Sequence, residues 1–255
     1  MENQRKIYRI TGVLIFIIGL VLGLLFNVVS VLGDLEGMSF WGMQEVAMYD
    51  PQLPLDAKLN SLNCPLLITS RETGSVTARI SNPLKKPIQS VIQADISNTS
   101  EDNDIRQDRQ EINLGSGETR DFSWEVTPGD KIYGRLILVR VYLYQNLSDG
   151  PARTAHCGIL VVDLAGWASR QIIILTVLAS LVGMVAGVSL WVSQSQPLFG
   201  RTGHLAFGLV WLLVVTLVGM ITNLIGAFLL SAGLLVLAVI SLVSLVEYMF
   251  LPRLS

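Results

Sequence analysis

The chain has 255 residues, of which 51% are hydrophobic and 15% charged, and its mean hydropathy is +0.54. This composition is too apolar for a soluble globular protein, and it excludes both a disordered chain and a nucleic-acid binder with a strongly basic face. The net charge of −2 conceals an asymmetry, because residues 34–168 hold 18 acidic and 12 basic residues while the rest of the chain holds 2 and 6.

The apolar flanks of the chain are therefore expected in a lipid bilayer. A basic tail, residues 1–9, is followed by 23 uncharged residues at 10–32. As a helix rising about 1.5 Å per residue, this run would cross a hydrocarbon core of about 30 Å. A cleaved signal peptide is the alternative, because Arg5, Lys6 and Arg9 could form its basic region. Its apolar region would span only about 7–15 residues, so the length favours an uncleaved transmembrane helix.

Residues 33–63 are predicted to form an extracytoplasmic juxtamembrane segment, over the membrane face or against the following domain. The segment contains an aromatic pair, Phe40 and Trp41, close to the end of the first span. Such a pair serves as an interfacial anchor, as a partner contact or as packing. All three interpretations remain open, and both residues are interface candidates.

Residues 64–164 change to short stretches in which apolar and polar residues alternate, at 76–81, 92–96 and 122–126. A period of two is typical of half-buried strands. Turns rich in Gly, Pro, Asn and Asp separate these stretches from four more candidate strands at 64–69, 110–114, 135–144 and 154–164. About seven short strands predict an all-β sandwich inserted between the first and second helices.

Three features of this region occur together: a strand that ends in Ser81-Asn82-Pro83, a strand at 91–96, and the turn 114–119 leading into the strand and Thr-Pro pair of 122–128. In these features the stretch resembles the immunoglobulin-like or fibronectin-like modules of prokaryotic surface proteins. The resemblance covers about a fifth of the chain and implies adhesion, spacing or assembly rather than catalysis. The strand-C tryptophan and the B-to-F cysteine spacing of antibody domains are not matched.

The chain has two cysteines, Cys64 and Cys157, on the first and last predicted strands. Outside the cytoplasm, such a pair predicts a disulfide. Closing a loop of about a hundred residues would stabilise the domain by roughly 4–5 kcal/mol in the chain-entropy model. Two separate buried thiols are the alternative.

Two short motifs in this domain have simple interpretations. The acidic stretch 101–104 precedes Asp108, but Gln107 stands where an EF-hand loop beginning at Asp102 would need glycine. We therefore expect a solvated hairpin loop rather than a calcium site. Asn98 and Asn146 begin glycosylation sequons, which matter only in a host that glycosylates.

Three further spans are predicted in the C-terminal third, at 171–193, 205–225 and 229–251, with a loop at 194–204 and a tail at 252–255. Residues 205–251 contain one charge, Glu247, and as one helix they would reach about 70 Å. The chain must therefore turn back, and Asn223 and Gly226 tolerate the left-handed conformation that ends a helix. Glu247 lies near the end of its span, so we expect an interfacial ion pair with Arg253 or Arg201.

Small residues recur at four-residue spacing in two of the spans. Such stripes allow close backbone approach, either within the chain or with a partner helix. The predicted packing positions are Gly19 and Gly23 in the first span and Ala179, Gly183 and Gly187 in the second.

The positions of Lys and Arg next to the spans predict the orientation. The N-terminal tail, Arg201 and Arg253 fall on one side of a four-span arrangement, so both termini should be cytoplasmic and residues 33–170 extracytoplasmic. Arg170 is an exception to this trend. Trp167 beside it suits an interfacial aromatic belt and is a third interface candidate.

No catalytic, cofactor or metal site is predicted. The chain lacks a Gly-x-Ser-x-Gly elbow, a Walker loop and a Gly-x-Gly-x-x-Gly turn. Its two histidines, His156 and His204, fall on opposite sides of the membrane in this arrangement and cannot share a metal. His156 is expected on a strand surface.

The leading hypothesis is a non-catalytic accessory or assembly subunit of the plasma membrane, whose immunoglobulin-like domain contacts other membrane protein subunits. A hetero-oligomer is expected, although a homo-oligomer remains open. The alternatives are a component of a transporter or channel and a membrane-anchored ligand-binding receptor. Intramembrane charges, which mark substrate paths, are nearly absent from the spans, and a receptor would need only one span.

Overall fold

The structure is a computed structural model that describes residues 2–41, 57–98, 105–144, 151–164, 166–196 and 199–250. These residues belong to two compact units. The helical unit comprises Met1–Val31 and Arg170–Ser255, and the sandwich unit comprises Leu32–Ser169. One helix, a set of strands and three further helices follow each other along the chain, in the order predicted from the sequence.

Four long helices account for the apolar parts of the described chain. Their bounds are α1, Glu2–Trp41; α2, Ser169–Gln194; α3, Arg201–Leu224; and α4, Phe228–Phe250. Each contains a segment long and apolar enough to cross a membrane.

Helix α1 differs from its predicted bounds because it continues past Leu32 to Trp41. The first part of the predicted juxtamembrane segment, residues 33–41, is therefore a continuation of this helix, and residues 42–56 lie outside the described part of the chain. Leu32–Trp41 belongs to the sandwich unit, so α1 contributes residues to both units.

The turn between α3 and α4 lies where the sequence predicts it. Gly226 has a φ of +74°, and its backbone N–H donates to the carbonyl of Asn223 at 3.1 Å. The backbone N–H of Ala227 donates to the carbonyl of Thr222 at 2.9 Å. These bonds satisfy carbonyl groups that the end of α3 leaves without helical partners.

The sandwich unit contains eight strands in its described residues. They are β1, Lys58–Asn63; β2, Leu67–Thr69; β3, Gly74–Ser81; β4, Ile88–Ser97; β5, Ile105–Leu114; β6, Thr119–Val126; β7, Leu136–Tyr144; and β8, Pro151–Val162. One sheet has the order β1-β3-β6 and the other β2-β8-β7-β4-β5. All pairs are antiparallel except β2 with β8. Two sheets of this kind around one core form a β-sandwich.

The core lies between the inward faces of the two sheets. Val76 pairs with Trp124 across β3 and β6, and Ile96 pairs with Val139 across β4 and β7. The largest fully buried side chains of this core are Ile68, Ile80, Ile92, Ile96, Leu114, Ile137, Leu143 and Ile159.

The two outward faces differ in polarity. On the three-stranded sheet, Arg79 forms two hydrogen bonds to Asp121, at 2.7 and 2.9 Å, and the hydroxyls of Ser75 and Ser123 lie 2.7 Å apart. The five-stranded sheet instead presents an apolar cluster around Leu138, which is fully buried. Phe40 and Trp41 of α1 pack against this cluster.

Two strand assignments differ from the sequence interpretation. The strand β1 was not predicted, and Cys64, expected on the first strand, lies between β1 and β2. In addition, β5 begins at Ile105 rather than at Gln110, so Asp108 belongs to a strand and not to a loop. The acidic stretch 101–104 lies outside the described residues.

Candidate functional site

The end of α1 crosses β8 at a pair of glycines. A Cβ atom at Gly33 would lie 2.9 Å from the carbonyl oxygen of Gly158, and a Cβ atom at Gly158 would overlap the carbonyl of Gly33. One turn later, a Cβ atom at Gly37 would lie 3.4 Å from the imidazole of His156. The helix backbone thus lies directly on the strand, which only glycines at these positions permit.

Arg140 of β7 holds the last residue of α1. Its guanidinium lies 4.4 Å from the ring centroid of Trp41 and 4.2 Å from that of Tyr142. It donates to the backbone carbonyl of Trp41 at 3.1 Å and to Asp95 at 3.0 Å. A cation at a helix C-terminus, between two aromatic faces, fixes the helix end through charge and packing together.

His156 lies opposite Arg140 in the pairing of β7 with β8. Burial lowers the pKa of His156, and the positive charge of Arg140 lowers it further. The imidazole is therefore neutral at pH 7, half-buried beneath α1 rather than freely exposed on the strand.

A second aromatic group lies in the turn between β6 and β7. Tyr133 has a φ of +52° and is 68% exposed, and the next residue, Gly134, has a φ of +73°. The N–H of Arg135 closes the turn on the carbonyl of Ile132 at 3.2 Å. The Tyr133 ring lies 6.5 Å from that of Phe40, which itself meets Trp41 edge-on at 4.7 Å.

Glu72, in the turn between β2 and β3, accepts hydrogen bonds at the start of α2. Its two carboxylate oxygens accept from the backbone N–H of Ser169 at 2.9 and 3.2 Å, and one also accepts from the N–H and hydroxyl of Thr69. These bonds lower the pKa of Glu72, the bond from Ser169 contributing most. A carboxylate at this place satisfies an N–H that the first turn of a helix leaves free.

Trp167 lies two residues before α2 and is 49% exposed. The nearby Leu164 is 47% exposed. Of the three interface candidates predicted from the sequence, Trp167 has the most exposed side chain. Phe40 and Trp41 are partly buried against the outward face of the sheet, so the packing interpretation describes them best.

The predicted disulfide between Cys64 and Cys157 is confirmed. It joins the connection between β1 and β2 to the middle of β8 and closes a sequence separation of 93 residues. Both cysteines pack with the core between the sheets.

Small residues of the helical unit lie where α1 meets α2. A Cβ atom at Gly19 would lie 2.6 Å from the backbone N of Met184, and one at Gly187 would lie 2.5 Å from that of Phe16. Gly183 faces Gly19 at 3.1 Å by the same measure. Ala179 is exposed, and the neighbouring Ser180 takes the place expected for it.

Ser180 shows how this contact is built. It is fully buried, its hydroxyl donates to the carbonyl of Gly19 at 2.8 Å, and a Cβ atom at Gly23 would lie 2.7 Å from that hydroxyl oxygen. The stripe of α2 is therefore Ser180, Gly183 and Gly187, since the spacing of three and then four residues follows the helical repeat better than a strict four.

A buried polar contact joins α1 to α3. The side-chain amide of Asn223 donates to the amide oxygen of Asn27 at 2.7 Å, and Asn27 donates to the carbonyl of Thr216 at 3.3 Å. Thr216 is fully buried, and its hydroxyl has no hydrogen-bond partner among the residues that the structure describes. The sequence did not indicate that these side chains meet.

The remaining predicted groups lie apart from these contacts. Glu247 is exposed at the end of α4, while the side chain of Arg201 and the residue Arg253 lie outside what the structure describes. The ring of His204 contacts that of Tyr248 at 6.2 Å. Asn98 follows β4 directly, and the second sequon, at Asn146, is not described.

Comparison with known proteins does not assign the chain to a family. No family model matches, and no curated protein matches at a significant level.

Several solved structures are similar to the sandwich part of the chain. The CARDB domain of the PF1109 protein from Pyrococcus furiosus, described in complex with di-metal ions, has 11% identity and a TM-score of 0.33, covering 43% of this chain and 94% of that one. The C-terminal domain of wzt has 10% identity and a TM-score of 0.31, covering 43% of this chain and 75% of that one. A β-glucosidase from Erythrobacter marinus has 15% identity and a TM-score of 0.31, covering 42% of this chain but 15% of that one.

Proposed function

We propose that the protein is a non-catalytic accessory or assembly subunit of a membrane complex. In this proposal α1 to α4 cross the plasma membrane with both termini in the cytoplasm, and the sandwich unit lies outside it. The sandwich contacts other membrane protein subunits, while the helices contact lipid and those subunits in the bilayer.

The observation that carries the proposal is that the sandwich unit is built onto helix ends. The last turns of α1 cover one sheet, with Gly33 against Gly158 and Trp41 against Arg140. The first residue of α2, Ser169, is bound by Glu72. A receptor domain or an anchored enzyme needs only one transmembrane span and a linker. A domain that incorporates helix ends instead suits an assembly subunit, because partner contacts made by the domain outside the bilayer are then coupled to partner contacts made by the helices inside it.

The distribution of lysines provides a direct test. Lys58, Lys85, Lys86 and Lys131 lie in the sandwich unit, whereas Lys6 lies in the N-terminal tail. An amine-reactive cross-linker that cannot cross membranes, applied to intact cells, would therefore react with the sandwich alone in the proposed orientation. We expect defined cross-links to other membrane proteins after mild detergent extraction.

The matched control replaces the four sandwich lysines by arginine, which keeps their charge and removes the amines. Its cross-links should disappear while its abundance stays unchanged. Recovery of the wild-type chain as an uncross-linked monomer would contradict the proposal. Labelling of Lys6 instead of the sandwich lysines would show that the chain has the opposite orientation in the membrane.

A second candidate function, a component of a transporter or channel, is favoured by the buried polar contact of Asn27, Thr216 and Asn223. Polar side chains inside a helical bundle commonly line substrate or ion paths, although they also serve as packing contacts. The test is ion or solute flux into vesicles that contain the purified full chain.

Under the second candidate, Asn27→Leu should abolish flux. Ser241→Ala is the matched control, because that hydroxyl accepts from the indole of Trp211 in an exposed contact between α3 and α4. Absence of flux from the wild-type chain, with cross-linked partners present, would favour the assembly subunit.

A further inference from the structure

Helix α4 packs against α3 through one side. Ser231 and Ala238 on this side are buried, and Leu245 packs against the core of the helical unit. The indole of Trp211 in α3 donates to the hydroxyl of Ser241 at 3.1 Å. Because these four residues of α4 follow one another at intervals of seven, three and four positions, they fall on one face of the helix.

The opposite side of α4 presents a regular row of exposed residues. Since successive residues lie about 100° apart around a helix, Ile240 points about 200° away from the buried Ala238 and so away from α3. The row continues from Ile240 in both directions at alternating intervals of three and four, which is the heptad spacing of helices that pack in pairs. Its four aliphatic side chains are 53–83% exposed. We call this row the α4 seam, and it consists of Leu229, Gly233, Val236, Ile240, Val243 and Glu247.

Gly233 is a glycine that the described part of the helical unit does not require. A Cβ atom at this position would meet no described heavy atom within 4 Å, whereas one at Gly208 of α3 would lie 2.6 Å from the side chain of Leu245. Glycine inside a helix weakens it, and in membrane helices small residues allow another backbone to approach closely. Gly233 therefore indicates that a further helix approaches α4 along the seam.

Glu247 carries the charge of the α4 seam. It is exposed in the last turn of α4 and forms no ion pair with any residue that the structure describes. A carboxylate is unfavourable at this place for two reasons. The C-terminal turn of a helix favours cations, and a charge at a membrane span is costly unless it is paired. A basic side chain on a neighbouring helix would remove both costs.

We propose that the α4 seam binds a transmembrane helix of a partner subunit, and that this helix carries a lysine or arginine at its cytoplasmic end. The inference rests on the proposed function and names the surface and the kind of helix through which the bilayer contact is made. A second copy of the chain fits less well, because a symmetric parallel pair would bring the two carboxylates at position 247 opposite each other. Lipid tails would leave the carboxylate of Glu247 unpaired.

The test uses the full chain in the membranes of the cells that produce it. The photo-reactive residue p-benzoylphenylalanine, which cross-links to its neighbours under light, replaces Ile240 on the seam. In the matched control it replaces Val239, which is also about half exposed but lies about 100° further round the helix. We expect position 240 to give an adduct with one membrane protein in at least fivefold higher yield than position 239.

Two kinds of variant separate the charge from the close approach. Glu247→Gln should reduce the adduct at least fivefold. Ser244→Ala is the matched control and should leave it unchanged, because that hydroxyl donates to the carbonyl of Ile240 in its own helix at 2.9 Å. Gly233→Leu should reduce the adduct at unchanged abundance, since the position is open within the described chain. Glu247→Lys should lose the adduct and regain it when the basic residue of the captured helix is replaced by glutamate.

Equal adducts at positions 239 and 240, adducts with lipid alone, or an adduct with a second copy of the chain would overturn the proposal. So would an adduct that Glu247→Gln leaves unchanged or that the charge exchange does not restore. Membrane insertion is checked separately. Release of the full chain by alkaline carbonate would contradict the proposed function and this inference with it. A retained chain that cross-links through its sandwich lysines but not through position 240 would contradict this inference alone.

Discussion

Tyr133 combines an unfavourable backbone conformation with a highly exposed side chain. A residue with a Cβ atom in the left-handed region costs about 1–2 kcal/mol, and asparagine tolerates that region better than tyrosine. The Tyr133 side chain recovers little by burial, because it is 68% exposed and, among the described residues, its ring contacts that of Phe40 edge-on. Because packing in the fold does not offset the conformational cost of Tyr133, we infer that this residue has a role other than stabilising the fold.

Tyr133→Asn should therefore stabilise the sandwich. We expect the free energy of unfolding to rise by about 0.5–1 kcal/mol, because the turn strain is partly relieved. The measurement is denaturant unfolding of the full chain in detergent, followed by circular dichroism of the sheets. A loss of stability would show instead that the contact with Phe40 outweighs the strain.

Glu72 is the residue at which pH should affect the structure. Its pKa is lowered below the ordinary value of 4.5 in the folded protein, chiefly by the hydrogen bond from Ser169. The unfolded chain therefore binds the proton more readily than the folded one. The stabilisation is complete above pH 4.5 and is lost as the pH falls through the lowered pKa.

Glu72→Gln should cost about 0.5–1 kcal/mol at neutral pH, because the amide lacks the charge that favours a helix N-terminus. Hydrogen exchange of the Ser169 N–H in the full chain is the local measurement, and exchange should accelerate in the variant. As the pH falls through the lowered pKa of Glu72, the difference between wild type and variant should shrink. A difference that persists unchanged would refute the role of the charge.

At the scale of elements, the crossing of α1 over β8 depends on the absence of side chains at two positions. The helix can lie directly on the strand because Gly33 and Gly158 bring backbone to backbone. This contact explains why α1 covers the outward face of the five-stranded sheet and why that face is apolar.

Gly158→Ala should separate the helix from the sheet. The added methyl group would overlap the carbonyl of Gly33, and because backbone rather than a flexible side chain must move, we expect a loss of about 2–3 kcal/mol. Gly129→Ala is the matched control, since a Cβ atom there would meet only the Thr127 hydroxyl at 3.5 Å. Hydrogen exchange of β7 and β8 should accelerate in the first variant alone.

The sequence predicted the elements with regular patterns and missed those that depend on long-range contacts. The alternation at 76–81 and 122–126 predicted β3 and β6. In β1 the same alternation is interrupted, because a register shift between Leu59 and Ser61 lets Leu59 and Leu62 both pack against the core. The uncharged run predicted a span that ends at Leu32, yet α1 continues to Trp41, and Gly33 and Gly37 serve the contact with β8.

The candidate contacts were predicted less well than the fold. Two cysteines on the first and last predicted strands of a domain expected outside the cytoplasm predicted the disulfide, and glycine spacing indicated the packing region of α1 and α2. Arg140 and Glu72 carried no local signal, because their importance arises from residues far away in the chain. Tyr133 had a local signal in the Tyr-Gly pair at 133–134, since a tyrosine before glycine in a tight turn is unusual.

At the scale of the whole molecule, the disulfide is the covalent link between the beginning and the end of the sandwich. Replacing Cys64 and Cys157 by serine removes a closure of 93 residues. The chain-entropy model predicts a loss of roughly 4–5 kcal/mol, comparable to the entire stability of a small domain. Proteolysis of the full chain under native conditions should then cut within the sandwich and spare the helices. Unchanged protease resistance would show that packing alone maintains the sandwich.

The crossing of Gly33 and Gly158 also sets an order of events during synthesis. The two residues are about 125 positions apart, so at 5–20 residues per second the end of α1 leaves the ribosome roughly 6 to 25 seconds before the strand it covers. During that interval the apolar surface at the end of α1 is exposed, and a chaperone could bind it. Only when β8 emerges, with α2 directly behind it, can the sandwich close against the end of α1, so the sandwich is completed only as α2 begins to be synthesised.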